Sequence, residues 1–151
     1  MSAPRFSVAI PTHNRLDLLR EAIETVRRQD WQDWELKVFD NASQDDIVGH
    51  VASLGDPRIT CLRSERFLPV TESWNSAIAA TTGQYVTLLG DDDGLGPGYF
   101  TRLDRVNRAA ELALIVGVLA SSGAGLGVAL LDRRRLIGEA ALATNEARVR
   151  A

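Results

Sequence analysis

Cysteine is almost missing from this chain of 151 residues, with Cys61 standing alone. No intrachain disulfide or multi-cysteine metal site can therefore form, and a reducing intracellular compartment is expected. A basic excess is missing as well. The 17 Lys and Arg against 20 Asp and Glu leave a net charge of -3, which argues against a binder of the nucleic-acid phosphate backbone. Met1 to Arg5 carry no apolar signal-peptide core, so secretion is not expected. His13 and His50 have no metal-ligand spacing to each other or to Cys61. What remains is 45% hydrophobic and 25% charged, the balance of a soluble globular domain long enough to bury a core unaided.

Apolar runs alternate with helical patterns, which predicts an α/β fold around a mainly parallel sheet. Phe6 to Ile10 is a short β-branched strand, stopped by Pro11. Leu16, Leu19, Ile23 and Val26 recur at helical spacing. Glu35 to Asp40 is a second strand, followed by a turn through Asn41, Ala42 and Ser43 and a short helix near Asp46 to Leu54. Ile59 to Leu62 is a third strand. From Thr71 a helix carries Trp74, Ala77, Ile78 and Thr81 along one side and ends near Gly83, which can supply a left-handed cap. Tyr85 to Leu89 is a buried strand running into Gly90, Asp91, Asp92 and Asp93, and another helix begins near Pro97.

Parallel strands deliver their last residues to one edge, where ligands bind. Pro11, Thr12, His13, Asn14 and Arg15 follow the first strand, Asp40, Asn41 and Ser43 the second, and Asp91, Asp92 and Asp93 the fourth. Three adjacent carboxylates repel one another and raise one another's proton affinity, so a solvated loop or a cation must relieve them. Mn2+ or Mg2+ suits them, since hard cations take few protein oxygens and leave positions for water and phosphate. An EF-hand is excluded, because Leu95 and Arg102 stand where ligands are needed. Gly94, Gly96 and Gly98 are no dinucleotide fingerprint, and a phosphoacceptor domain would place acids where Thr12, His13 and Asn14 stand.

The blocks SVAIPTHNR, ELKVFDNASQDD and ESWNSAIAATTGQYVTLLGDDDGLGPGYF, in that order, resemble the nucleotide-sugar-binding half of a family 2 glycosyltransferase with the GT-A, Rossmann-like fold. The resemblance implies transfer of a sugar from a nucleotide diphosphate donor to an acceptor hydroxyl, with inversion and a divalent metal on the diphosphate. It implies that Pro11, Thr12, Asn14 and Arg15 frame the nucleotide and that Asn75 lies on a helix bordering the donor. Asp40 matches an acid that accepts the ring N–H of a base. A carboxylate only accepts, which suits uracil or thymine, hence UDP or dTDP, better than cytosine. Asp91 and Asp92 match the short acidic motif facing ribose and metal. Gly90 stands where many relatives have the first acid of an Asp-x-Asp motif, so the roles of Asp91, Asp92 and Asp93 stay open. The acceptor is a saccharide, a lipid-linked saccharide or a protein, nucleic acid is not a partner, and the setting is cytoplasmic or the inner face of a membrane.

Several residues have plainer readings. Trp31 and Trp34 pack under the sheet edge rather than stack on sugar, and Trp74 is a core residue. Arg63 and Arg66 are surface arginines preceding a loop that in some relatives supplies a cation.

Near residue 110 the chemistry changes. Acidic groups dominate before it, a slight basic excess follows, and no aromatic lies beyond Phe100. Residues 1–110 are read as the donor-binding half and 111–151 as an apolar tail with further strands and a helix. Residues 112–131 are uncharged and long enough to span a membrane, but glycines and serines interrupt them, so residues 111–120 are read as a fifth strand. Asp132 and Glu139 are the acids between Glu111 and Glu146, and neither matches the family's general base. The acceptor region is incomplete by this reading, and the alternative to an active transferase is a truncated nucleotide-binding or interaction module.

Overall fold

The computed structural model of the chain describes residues 3–115 and 131–132. Its elements are β1 (Phe6–Thr12), α1 (Leu16–Arg27), β2 (Trp34–Asp40), α2 (Ile47–Ser53), β3 (Ile59–Arg63), α3 (Val70–Ala79), β4 (Tyr85–Leu88), α4 (Tyr99–Ile115) and β5 (Leu131–Asp132). The strands order as β3-β2-β1-β4-β5. β1 pairs in parallel with β2 and β4, β2 with β3, and β5 runs antiparallel to β4. The chain winds outward from β1 to β3, then crosses back to lay β4 on the other side of β1. The order reverses at the β1–β4 pair, and in an open α/β sheet that reversal opens the ligand crevice.

Alternation along the strands divides the core between two faces. Phe6, Val8 and Ile10 of β1 join Leu36 and Val38 of β2, with Leu19, Ile23 and Val26 of α1, Ile47 of α2 and Phe100 of α4 packed over them. Ala9, Phe39 and Val86 face the other way, onto Ala77 of α3. Trp31 and Trp34 belong to the first cluster, at the end of the sheet where Phe6 pairs with Trp34. The Arg58 guanidinium lies 3.8 Å over the Trp34 ring. Both tryptophans sit at the opposite end of β1 and β2 from the Thr12–Asp40 pair.

Four expectations need correction. Pro11 does not stop β1, which continues through it to Thr12. The Asn41 N–H donates to the Thr12 carbonyl on the β2 side, and the Leu89 N–H to the Ala9 carbonyl on the β4 side. Pro11, two residues after Ala9, therefore lacks its N–H on the β4 side, where pairing has already ended at Ala9–Leu88. Trp74 is not core: Ser73, Ala77 and Thr81 face inward, and Trp74 is 47% exposed. Gly83 is not a left-handed cap. The α3 cap is Ala80, in right-handed conformation, and a Cβ on Gly83 would lie 2.4 Å from Ser7 Oγ, so close approach to β1 is what demands glycine there. The first five residues of the expected fifth strand, 111–115, end α4 instead, which passes through position 110 without interruption. Residues 116–120, and most of the uncharged run 112–131, lie outside the described residues. Among the described residues no helix is long and apolar enough to cross a membrane.

Candidate functional site

Three loops meet at the carboxyl end of the sheet because the register brings them there. Thr12 pairs with Asp40 and Asp40 with Arg63, while β4 ends just before Asp91. Asn14 joins the first two loops. Its φ is 55°, in the left-handed region that asparagine tolerates. Its N–H donates to Ser43 Oγ at 2.9 Å, and its Oδ1 accepts from the Gln44 N–H at 2.6 Å. The Leu16 N–H, an open donor at the start of α1, donates to Asp45 Oδ2 at 3.2 Å. His13 Nδ1 lies 2.8 Å from the Asn41 carbonyl oxygen and so must carry the proton, which leaves Nε2 to accept from Asn14 Nδ2 at 3.1 Å. Both ring nitrogens are thus engaged in holding the rim.

Asn41 fixes the third loop. Its Nδ2 donates to the Leu68 carbonyl at 2.9 Å and its Oδ1 accepts from the Leu68 N–H at 2.8 Å. This clamp sets the Phe67 ring 4.8 Å from the His13 ring, edge to face. A cavity of about 270 Å³ opens between the loops, lined by Pro11, Thr12, His13, Arg15, Asn41 and Asp91 on the sheet side and by Phe67, Val70, Ser73 and Trp74 on the α3 side. One wall is polar and charged; the other is largely apolar.

The acids are not equivalent. Asp91 is 7% exposed. Its Oδ2 accepts from Thr12 Oγ1 at 2.8 Å and its Oδ1 from Arg15 Nη1 at 3.3 Å. The same Nη1 lies 3.4 Å from Oδ2 of exposed Asp92. Asp92 and Asp93 also converge over Gly90: a Cβ there would lie 2.9 Å from Asp92 Oδ1 and 2.9 Å from Asp93 Oδ2. Asp40 is fully buried and lines no part of the cavity. Its Oδ1 accepts from the Ser43 N–H at 2.9 Å and its Oδ2 from Arg63 Nη1 at 2.7 Å. Asn75 is exposed on α3 and also off the cavity. Cys61 stands apart, its thiol pushed up to about 11 by burial first and by the Asp40 charge second. It stays protonated at neutral pH.

Of the predicted residues, Pro11, Thr12, Arg15 and Asp91 line the cavity, Asp92 reaches it through Arg15, and Asn14 and Asp40 support it from outside. The sequence reading missed Phe67, Val70 and Ser73 and misplaced Trp74. Phe67 in a turn, and Val70 and Trp74 at helical spacing, look like ordinary packing; the one available signal was Phe67, an apolar ring shortly before Pro69 and outside any strand or helix period.

The sequence model of the Glycosyl transferase family 2 matches residues 7–139. The putative colanic acid biosynthesis glycosyl transferase WcaA of Escherichia coli K12 is 35% identical over 96 residues, 62% of this chain and 34% of that protein. The GalNAc(5)-diNAcBac-PP-undecaprenol beta-1,3-glucosyltransferase of Campylobacter jejuni is 35% identical over 103 residues, 66% of this chain and 33% of that protein. The chain thus spans about a third of the length of these curated relatives. In fold it is similar to S. aureus TarS 1-349, with a TM-score of 0.61 and 22% identity over 71% of this chain and 32% of that one. A mannosyltransferase of Pyrobaculum calidifontis, solved with GDP-Man and Mn2+, superposes with a TM-score of 0.57 and 23% identity over 75% of this chain and 33% of that one. With more than half of its residues matched by the family's model, and the mainly parallel sheet of its structural neighbours, the chain belongs to glycosyl transferase family 2.

Proposed function

We propose that the chain holds a nucleotide diphosphate-sugar in the rim cavity and supplies the donor side of sugar transfer to an acceptor hydroxyl. One observation carries the reading: Asp91, at the end of β4, is bonded to Thr12, at the end of β1, on the wall of a cavity at the strand-order reversal. TarS has been solved in complex with UDP-GlcNAc, which supports a nucleotide-sugar ligand for this fold. The base is a pyrimidine, of UDP or dTDP type. Each Asp40 oxygen keeps a second acceptor direction besides its bond to Ser43 or Arg63, and the half-exposed Arg63 side chain must swing aside for a ring N–H to reach it.

A divalent ion, Mn2+ or Mg2+, fits the acids. The Arg15 guanidinium already stands as a cation between Asp91 and Asp92, and Asp92 and Asp93 converge over Gly90. Among the described residues no three His, Cys, Asp or Glu side chains form a metal cage, so these carboxylates would be the protein's share and donor oxygens and water the rest. Such an ion, when bound, would neutralise charge developing on a leaving diphosphate. Thr12 holds the Asp91 carboxylate in place, Phe67, Val70 and Trp74 offer an exposed apolar wall against which the donor can lie, and the acceptor attacks from the face opposite the diphosphate, inverting the anomeric carbon. A lipid-linked saccharide at the cytoplasmic face of a membrane is the acceptor we favour, since the name of the C. jejuni relative gives an undecaprenol-linked substrate to that protein.

A second reading rests on the acids themselves. Asp91 is the acid among the described cavity-lining residues, and the donor reading already commits it to Thr12, Arg15 and the metal, which leaves no second carboxylate on that lining for the acceptor proton. On that reading the chain binds donor without turnover. Calorimetry with UDP and Mn2+ tests the site: Asp92→Asn is expected to lower affinity at least tenfold with an unchanged melting temperature, and unchanged binding would refute the assignment. Transfer assays on an acceptor panel then separate enzyme from binding module.

A further inference from the structure

Arg15 departs from the first turn of α1, where its carbonyl accepts the Leu19 N–H at 3.0 Å. Its side chain is 53% exposed, yet it reaches two acids 76 and 77 residues further along the chain. Nη1 is 3.3 Å from Asp91 Oδ1 and 3.4 Å from Asp92 Oδ2. Thr12 prevents Asp91 from turning away, so one positive atom serves both carboxylates at the spot where a divalent ion would have to bind them. A guanidinium and a metal ion cannot share that spot, because two cations at contact repel.

We propose that Arg15 is a tethered counter-ion that keeps the acids closed to metal until a donor diphosphate draws it away. The inference rests on the reading of the rim as a donor site and adds an order of events to it. A diphosphate offers the guanidinium a bidentate partner, a stronger one than two carboxylate oxygens at 3.3 and 3.4 Å from a single nitrogen. Half-exposed, Arg15 is free to rotate onto it with little repacking. Asp91 and Asp92 are then uncovered beside the diphosphate, and nucleotide and metal bind with positive coupling that is reciprocal. In the absence of nucleotide the guanidinium offsets one of the negative charges, which lowers the repulsion among the three adjacent acids.

The test uses the full chain with Mn2+ alone, followed by the electron paramagnetic resonance signal of the free ion, and with UDP alone, followed by calorimetry. In Arg15→Gln, Mn2+ alone should bind about five- to tenfold more tightly than in the wild type, while UDP alone binds more weakly by a similar factor. Arg15→Lys keeps the charge and should leave the Mn2+ affinity near that of the wild type. An arginine serving only the diphosphate would leave Mn2+ binding unchanged, and one serving only the fold would weaken both ligands; either result overturns the proposal while leaving the donor site intact. If the wild type takes up no Mn2+ even with UDP present, the metal-assisted donor reading falls and this inference with it.

Discussion

β1 carries a hydroxyl near each end, and each is bonded to a buried carboxylate from a neighbouring segment, but the two ends of the sheet use the pair differently. At the start of the strand, Ser7 Oγ donates to Glu35 Oε1 at 2.7 Å. The same carboxylate accepts from the Thr82 N–H, the Thr82 hydroxyl at 2.9 Å and the Gly83 N–H at 3.2 Å, and pairs with Lys37 Nζ at 3.1 Å. At the other end Thr12 donates to Asp91, whose remaining partner is a half-exposed arginine shared with Asp92. Glu35 Oε1 is crowded by donors from Ser7, Thr82 and Gly83 that are fixed by the fold, and Oε2 pairs with Lys37 of the same strand. Asp91 is satisfied on one side by the fold and on the other by a cation free to move. A buried acid with every acceptor direction filled by fixed donors holds structure; one whose counter-charge can be exchanged is available to a ligand.

Removing Glu35 should break this contrast most forcibly. Glu35→Ala takes the acceptor from the Ser7 hydroxyl and the Thr82 N–H and leaves a mostly buried Lys37 ammonium with Thr60 Oγ1 as its partner, while the Gly83 N–H keeps Ser7 Oγ at 2.8 Å. We expect a loss of about 3 kcal/mol in denaturant unfolding, with nucleotide affinity kept in the fraction that remains folded. The same cluster dictates the response to acid. Burial alone pushes the Glu35 carboxyl up, but the bonds from Ser7, the Thr82 backbone, Lys37 and the Thr82 hydroxyl outweigh it, and the group ends below its ordinary 4.5. A depressed folded value means that the unfolded chain binds the proton more readily. The stabilisation is therefore complete above 4.5 and disappears as pH falls through the folded value. The variant should lack that part of the acid dependence, and an identical pH profile would contradict the account.

Thr12→Val and Ser7→Ala sharpen the comparison with smaller effects. Valine keeps the shape of threonine and removes the hydroxyl, leaving Asp91 with its mobile partner alone, at a cost of about 1 to 2 kcal/mol. UDP affinity in the presence of Mn2+ should fall with it, since Asp91 loses its fixed orientation. Ser7→Ala takes one donor from an acid that keeps four others, and it should cost about 0.5 to 1 kcal/mol without touching ligand binding. Equal costs, or a binding defect in Ser7→Ala, would show that the two ends do not differ as argued.

Much of this architecture is written in local pattern. Strand–helix alternation places β1 to β4 and makes the sheet parallel, and a parallel sheet collects Thr12, Asp40 and Asp91 along one edge whatever else happens. Local pattern does not say which acid turns inward. That is decided by Thr12 reaching Asp91 across 79 positions and by Arg63 closing on Asp40 across 23, pairings between distant segments that no spacing rule encodes. Pro11 misled for a related reason: a missing N–H is harmful only if the neighbouring strand is there to need it, and β4 has already left. Residues 111–115 look strand-like only because they open a longer apolar run; Glu111, Leu112, Ala113 and Leu114 are good helix formers, and they continue α4.

Trp74 offers the gentlest test, confined to the apolar side of the cavity. Its side chain is half exposed and its helix buries Ser73 and Ala77 instead, so Trp74→Ala should leave the unfolding midpoint nearly unchanged. Its position in the cavity lining with Phe67 and Val70 makes it a surface on which a base can lie, and stacking on an aromatic contributes about 1 to 3 kcal/mol per base. A tenfold weaker UDP affinity is expected, with Trp74→Phe close to the wild type. The chain supplies its own probe, because Trp34 is 2% exposed and Trp31 is packed edge-on against Phe6 at 5.7 Å, far from the rim. Nucleotide should quench the emission of Trp74 and leave that of the other two alone, so the ligand-induced change disappears in Trp74→Phe even though binding persists. Quenching that survives the substitution would mean that the ligand sits at the opposite end of the sheet, among the saturated groups, and the distinction between the two ends would be lost.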